Sequence, residues 1–153
     1  MFGVFPSLPK GIDPRQVLPF ILDGQASVGI AASATVDIAS TTLQPGYMAV
    51  ILSLGVTVRV VPEYEYTGAL IFSLNIDAAP FIDNNSGNWT AQRGSVASPM
   101  PTYIRTRPGS KVVFKTTRNS VAVALPQTVA FLATGIMFPV GKGIDQDGAN
   151  FRI

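Results

Sequence analysis

The sequence predicts an all-β protein, an antiparallel β-sandwich of seven or eight strands that follows an extended N-terminal arm. Several segments alternate apolar and mixed residues with a period of two, which is typical of half-buried strands. No segment keeps a helical period, and 14 glycines and 12 prolines supply turns between the strands. A chain of 153 residues is long enough to bury a core as one domain.

The first predicted strands alternate clearly. A short one has Ala34, Val36 and Ile38 on one face. The longest is residues 46–60, "GYMAVILSLGVTVRV", in which every even position from 48 to 60 is apolar. We expect those even side chains to face the core and Gly55 to mark a bend. Residues 69–76, "ALIFSLNI", repeat the alternation.

The second half of the chain predicts the remaining strands, at residues 102–106, 110–117, 120–125 and 128–138. In the last of them Gly135 is expected to mark a bulge. Such a bulge would shift the inward positions to Ile136 and Phe138.

Two turns share a Pro-Gly pair, at residues 45–46 and 108–109. Proline at the second position and glycine at the third predict a type II turn, which splays the flanking strands. We therefore expect both turns to join strands at a corner or across two sheets rather than to close two-residue hairpins. A single helical turn is predicted after Asp13, which would cap it.

The domain boundaries follow from composition: residues 1–25 form an apolar arm, 26–140 the sandwich and 141–153 a C-terminal tail. The arm combines four prolines with eleven large apolar residues, so it is too broken for a helix and too apolar for a free tail. We expect it to lie in an apolar groove, on its own sandwich or on a neighbour. Its candidate partner-binding residues are Phe2, Val4, Phe5, Leu8, Val17, Leu18, Phe20 and Ile21.

Five of the eleven basic residues fall in residues 105–119, "RTRPGSKVVFKTTRN". Even positions such as Ile104, Val112 and Phe114 should face the core. The other basic residues of this stretch are at odd positions and should face outward, whereas Arg118, at an even position, breaks the parity of the basic residues. The pattern is that of a solvated sheet face or of a basic surface for an acidic protein partner. Few aromatic residues accompany the basic ones, so nucleic acid is not expected. The residues of this basic outer face are Arg59, Arg105, Arg107, Lys111 and Lys115.

Composition argues against several chemistries. The chain has no cysteine and no histidine, which excludes disulfides, thiolate ligands and imidazole catalysis. We expect no metal, no cofactor and no enzymatic activity, although Glu63 and Glu65 form a carboxylate pair. No membrane span is expected, because prolines interrupt both long uncharged stretches. The aromatic residues Tyr64, Tyr66 and Trp89 form a candidate sugar-stacking platform.

Residues 40–140 resemble the jelly-roll-like β-sandwich proteins that decorate or cement bacteriophage heads. The resemblance lies in "LQPGYMAVILSLGV", "MPTYIRTRPGSKVVFKTTRNS" and "TVAFLATGIMFPVG". It implies a non-enzymatic virion protein, assembled in the host cytoplasm, that binds a major capsid protein as a dimer or trimer of identical copies. The alternative is a carbohydrate-binding or receptor-binding β-sandwich, such as a fibre or adhesin head.

Overall fold

The computed structural model describes residues 13–29, 35–60, 70–77, 79–85, 95–118 and 127–140. Within them the chain forms eight strands in two four-stranded sheets packed as a sandwich. Sheet I has the order β1-β8-β3-β6 and sheet II the order β2-β7-β4-β5. The strands are β1 (Leu18–Val28), β2 (Thr35–Thr42), β3 (Tyr47–Val60), β4 (Leu70–Ile76), β5 (Ala79–Asn85), β6 (Met100–Arg105), β7 (Lys111–Arg118) and β8 (Gln127–Pro139).

The strand order is that of a jelly roll. The antiparallel pairs β1–β8, β2–β7, β3–β6 and β4–β5 are nested, as if one long hairpin had been folded over itself. The pairs β3–β8 and β4–β7 then join the ribbons into sheets. The predicted fold class, an antiparallel jelly-roll-like sandwich, is confirmed.

The boundary between arm and sandwich was predicted wrongly. Residues 18–25 belong to β1, which pairs with β8 along its whole length. Phe20 and Leu22 of β1 are each 3% exposed and lie in the core. Pro19 and Gly24 resemble strand breakers in the sequence, yet an edge strand tolerates proline because one side of it needs no ladder hydrogen bonds.

Gly24 is required by the close approach of the two sheets. A Cβ at this position would lie 2.0 Å from the carbonyl oxygen of Ile38, at the bulge in β2. The sheets are therefore pinched together along the β1–β2 side of the sandwich.

The core lies between the sheets. The rings of Phe114 in sheet II and Phe131 in sheet I stack with centroids 4.0 Å apart, and Phe72 lies 5.6 Å from Phe114. The predicted inward residues of β6 and β7, Ile104, Val112 and Phe114, are all buried in this core. The predicted strand at 120–125, residues 1–12 of the predicted arm and the whole predicted tail lie outside the described residues.

The bulge in sheet I is not where the sequence placed it. β8 is continuous through Gly135, and the register shift lies in β3 between Ile51 and Ser53. The extra residue, Leu52, reverses the faces of β3. Leu54 and Val56 point into the core as predicted, whereas Met48 and Val50 point to the outer face of sheet I.

Because the register shift lies in β3, β8 keeps one alternation of inward and outward side chains through Gly135. Ile136 and Phe138 do not enter the core as predicted; they lie on the outer face with Met48 and Val50. Gly135 is needed because a Cβ there would lie 1.9 Å from the carbonyl oxygen of Val50.

Both Pro-Gly turns join strands of different sheets, as predicted. Gly46 and Gly109 have positive φ values of 81° and 70°, and each turn closes with a backbone hydrogen bond across four residues. The turns lie against each other at one end of the sandwich, called here the Pro-Gly end, where a Cβ on Gly109 would be 3.8 Å from Pro45. The predicted helical turn is a 3-10 turn, Pro14–Gln16, capped by Asp13.

Candidate partner-binding sites

The outer face of sheet I carries a second apolar cluster. Its centre is formed by Met48, Val50 and Phe138, each fully buried, and we call it the outer cluster. The residues packed against this centre are partly buried: Val17, Leu52, Tyr103, Ile136 and Val140. These three side chains are thus already covered within the chain itself, and the apolar surface that the outer cluster still offers is its partly buried rim.

Both terminal segments leave the sandwich at the outer cluster. Val17 directly precedes β1, and Val140 directly follows β8 and donates its backbone N–H to the carbonyl of Gly46 at 2.7 Å. The N-terminal segment and the C-terminal tail therefore begin from one region of the surface.

The apolar character of this face continues beyond the outer cluster onto β1. Ile21, on the outward side of β1, is 63% exposed. Asp23 and Arg105 are the charged side chains described on this face. In the centre of this face, the hydroxyl groups of Ser53 and Thr134 form a hydrogen bond with each other.

A groove opens at the Pro-Gly end, between β1 and the turn that joins β2 to β3. Its volume is about 390 Å³. The walls are mostly apolar, and the polar groups along it are hydroxyls and one amide, from Thr41, Thr42 and Gln44. Its apolar lining is Leu18, Pro19, Phe20, Ile21, Leu43 and Met137, with Tyr47 beside them.

The arm residues predicted to bind a partner lie in different environments. Leu18 and Ile21 are exposed, at 43% and 63%, whereas Phe20 is buried in the core of its own sandwich. Phe20 is thus a structural residue, which corrects the prediction. Val17 is partly buried in the outer cluster. The predicted residues Phe2, Val4, Phe5 and Leu8 lie outside the described residues.

The predicted basic outer face does not exist as one surface. Arg105 lies on the outer face of sheet I, whereas Lys111 and Lys115 lie on the outer face of sheet II, on the opposite side of the sandwich. Arg107 belongs to the Pro-Gly turn between the sheets. Arg59 is in β3 of sheet I, and only its backbone is described. The sequence spacing was uniform, but the chain changes sheets in the middle of the basic stretch.

Arg118 is a buried cation that the sequence did not assign. It keeps the inward parity of β7, is fully buried, and donates from Nε to the carbonyl oxygen of Gly29 and from Nη2 to that of Val28 at 3.5 Å. Burial lowers the pKa of its guanidinium below the usual value. Arg118 thus ties the end of β7 in sheet II to the end of β1 in sheet I.

A second polar tie joins the sheet II strands to the Pro-Gly end. Asp77 has a φ of 53°, a left-handed conformation that aspartate tolerates. Its carboxylate accepts a hydrogen bond from the Ser110 hydroxyl and one from the Lys111 backbone N–H, both at 2.9 Å. This contact fixes the turn after β4 against the start of β7.

Tyr103 is the titratable group of the outer cluster. Burial raises the pKa of its phenol above the usual value, and the nearby Arg105 guanidinium lowers it by a smaller amount. The outer cluster therefore keeps water away from the phenol of Tyr103.

The residues of the other predicted sites fall elsewhere. Tyr64, Tyr66 and Trp89, together with Glu63 and Glu65, lie outside the described residues. In the part of the chain that the structure describes, no three acidic, cysteine or histidine side chains are grouped to hold a metal ion. The same part contains no helix of the length and apolarity needed to cross a membrane.

The outer cluster was missed in the sequence, although a signal for it was present. Residues 47–52 and 136–138 are apolar at both parities, which is the pattern of a strand covered on both faces. In β3 every even position is apolar, so the sequence was consistent with a regular strand whose even side chains all face the core. That simpler interpretation concealed the signal.

The fold and its surfaces define a single jelly-roll domain with an apolar outer face and an apolar groove at one end. The chain matches no protein-family model, no curated protein and no solved structure.

Proposed function

We propose that the chain is a structural virion protein that binds and stabilises a capsid shell, as a decoration, cement or minor head protein. The observation that carries the proposal is the apolar outer face of sheet I, with its buried outer cluster and the exposed Ile21. The accessible apolar surface here is the partly buried rim of the outer cluster together with Ile21, and covering such surface stabilises a contact with another protein.

The fold supports the proposal only in a general way. Double-sheet jelly rolls include viral capsid domains, lectin domains and cupins, so the fold is compatible with more than one function. The surface chemistry of the domain therefore carries the proposal. The scarcity of charge on the outer face of sheet I favours a protein surface as its partner.

The positions of the basic residues change the expected nature of the contact. Because the basic residues are divided between two opposite faces, they do not form one electropositive surface for an acidic partner. We propose that apolar burial by sheet I supplies the binding energy and that the basic residues contribute little. An apolar contact should be nearly independent of salt, whereas a contact made by exposed charges weakens as salt rises.

Binding to empty shells tests the function. The purified full-length chain is mixed with shells that lack it, at 0.1 M and at 1 M NaCl, and the shells are sedimented. We expect the chain to sediment with the shells at both salt concentrations. The change Ile21→Lys should weaken binding at least about tenfold, because it places a charge in an apolar contact. Ile21 is exposed, so this variant should fold.

The control is Lys115→Glu, on the outer face of sheet II, which should leave binding unchanged within about twofold. Loss of binding in this control but not in Ile21→Lys would contradict the apolar contact. Failure of the chain to bind any shell, or closed particles formed by the chain alone, would contradict a decoration or cement role.

One observation favours the alternative, a carbohydrate-binding or receptor-binding domain. The end of the sandwich opposite the Pro-Gly end contains Val60, Leu70 and Asn85. Val60 and Leu70 border residues 61–69, and Asn85 directly precedes residues 86–94. Tyr64, Tyr66 and Trp89 belong to those two segments. Glycan binding that is lost in Trp89→Ala, without shell binding, would support this alternative.

A further inference from the structure

We infer that the shell protein docks on sheet I with one extended, uncharged segment, which lies across the strands between the outer cluster and residues 95–98. Residues 95–98 are called here the strap. This inference rests on the proposed function, and it adds the shape and the chemistry of the part of the partner that makes the contact.

The strap lies on the outer face of sheet I. Gly55 is an outward position of β3, because the residues before and after it are both in the core. A Cβ on Gly55 would lie 2.1 Å from the carbonyl oxygen of Ser95, so the strap rests directly on the backbone of the sheet. The strap is also bonded to the sheet, because the backbone N–H of Val96 donates to Oγ1 of Thr57 at 3.0 Å.

Hydrogen bonds within the strap close it into a tight turn. Ser95 and Ser98 exchange two backbone N–H···O=C bonds, of 3.2 and 3.1 Å. The N–H of Ser98 also donates to Oγ of Ser95 at 3.2 Å. The tip of the turn, Val96 and Ala97, is uncharged, and Ala97 is exposed. Because the turn is bonded to itself and to the sheet, it needs little further ordering when it meets a partner.

One row of residues across the strands separates the strap from the outer cluster. This cross-strand row consists of Ile21 on β1, Thr134 on β8 and Ser53 on β3, which are neighbours in the ladder of sheet I. Ser53 and Thr134 are only partly buried. Because these two side chains are short, the cross-strand row lies lower than the strap on one side and the large side chains of the outer cluster on the other.

The width of the cross-strand row determines which kind of segment fits. The outer cluster reaches Ile136 on one side of the row, and the strap covers Gly55, whose partner on β8 is Leu132, on the other. Four residues of one strand separate Leu132 from Ile136, which corresponds to roughly 14 Å. The flanking side chains and the strap itself take up part of that distance. The remainder accommodates one extended chain, which needs roughly 5 Å, but not a helix with a diameter of roughly 10–12 Å.

The chemistry of the cross-strand row favours an uncharged segment. Its floor offers the hydroxyl groups of Ser53 and Thr134, and its β1 end offers the apolar side chain of Ile21, which is 63% exposed. The charged side chains described on this face, Asp23 and Arg105, lie in the neighbouring rows at opposite edges of sheet I. A charged segment would lose its hydration in the row without gaining a partner of opposite charge.

Filling the cross-strand row distinguishes this inference from a flat apolar contact. Ser53→Tyr places a large side chain on the floor of the row and should weaken sedimentation with empty shells at least about tenfold, because the segment no longer fits. A flat contact would instead keep or gain affinity from the added apolar area. Ser53→Ala leaves the row open and should bind within about twofold of the wild type. The matched control is Ser40→Tyr, the same change at an exposed serine on the outer face of sheet II, which should bind as the wild type does.

Two further variants test the strap. Ala97→Glu adds a charge at its exposed tip, so the fold should persist while binding to shells weakens about tenfold. Thr57→Val removes the hydroxyl group that accepts the hydrogen bond from Val96. Amide hydrogen exchange at Val96 should then become about two to ten times faster in the free chain, and this measurement needs no shell.

Several results would overturn the inference. If Ser53→Tyr or Ala97→Glu binds as tightly as the wild type while Ile21→Lys loses binding, the inference is wrong and the proposed function stands. Equal exchange rates at Val96 with and without the Thr57 hydroxyl would show that the strap is not fixed to the sheet. A wild type that binds no shell contradicts the proposed function, and the inference fails with it. Circular dichroism checks that each variant is folded, and Ala97→Glu decides the question if Ser53→Tyr does not fold.

Discussion

Gly135→Ala tests the position of the bulge on which the outer face of sheet I depends. A Cβ at residue 135 would lie 1.9 Å from the carbonyl oxygen of Val50 and 2.9 Å from its carbonyl carbon. Real Cβ atoms essentially never lie closer than 3.0 Å to another heavy atom. The two strands would have to separate by about 1 Å, and the oxygen belongs to the backbone of a central strand, which has no flexible end to move away.

The size of the effect follows from this clash. Overpacking of a well-packed interior costs about 1–3 kcal/mol, and a backbone clash in the centre of a sheet belongs at the upper end. For a chain of this length about 1 kcal/mol lowers the thermal midpoint by about 2–4 °C. We therefore expect Gly135→Ala to lower the free energy of unfolding by about 3 kcal/mol and the midpoint by about 6–12 °C.

Urea unfolding followed by circular dichroism measures the change, and Gly29→Ala is the matched control. A Cβ on Gly29 would meet nothing within 4 Å, so this variant should stay within about 0.5 kcal/mol of the wild type. If Gly135→Ala were as stable as the control, β3 and β8 would pair without the bulge at Leu52. Met48 and Val50 would then face the core, and the apolar face on which the proposed function rests would be lost.

Three further predictions concern the polar groups. Arg118→Met removes the hydrogen bonds between the sheets and should destabilise the fold by about 1.5–3 kcal/mol; an unchanged urea midpoint would contradict the tie. Asp77→Ala should cost about 2 kcal/mol, because it removes two hydrogen bonds and leaves a left-handed alanine, and Asp77→Asn should cost less; equal losses would contradict this. Absorbance at 295 nm should show Tyr103 ionising above the ordinary pKa of 10.0, and Tyr103→Phe should remove that late step. Because folding raises this pKa, the stability that the phenol contributes is present below about pH 10 and is lost as the pH rises through the folded-state pKa.

Much of the fold was predictable because alternation records burial locally. The inward face of β4 was predicted from Leu70, Phe72 and Leu74, and the inward face of β7 was predicted from Val112 and Phe114. A period of two places such residues on one face of any strand. The Pro-Gly pairs indicated turns that cross between sheets, because glycine at the third position permits the positive φ of a type II turn.

The sites were less predictable, because parity along one strand does not say which sheet the strand joins. Arg105 and Lys111 are close in sequence and share a parity, yet the turn between them carries the chain from sheet I to sheet II and puts them on opposite faces. Pro19 and Gly24 made residues 18–25 look like part of the extended arm rather than a strand of the sandwich. Their roles depend on an edge position and on the approach of Ile38, and both are properties of the assembled sandwich.

The sequence by itself determined the fold class, the inward face of most strands and the two turns between sheets, because each depends on residues a few positions apart. The tertiary structure alone decided that Leu52 bulges, that Met48, Val50 and Phe138 leave the core for the outer face, and that Arg118 is buried between the strand ends. These outcomes depend on pairings between residues about 80 to 90 positions apart, and no local pattern encodes the register that such distant strands adopt.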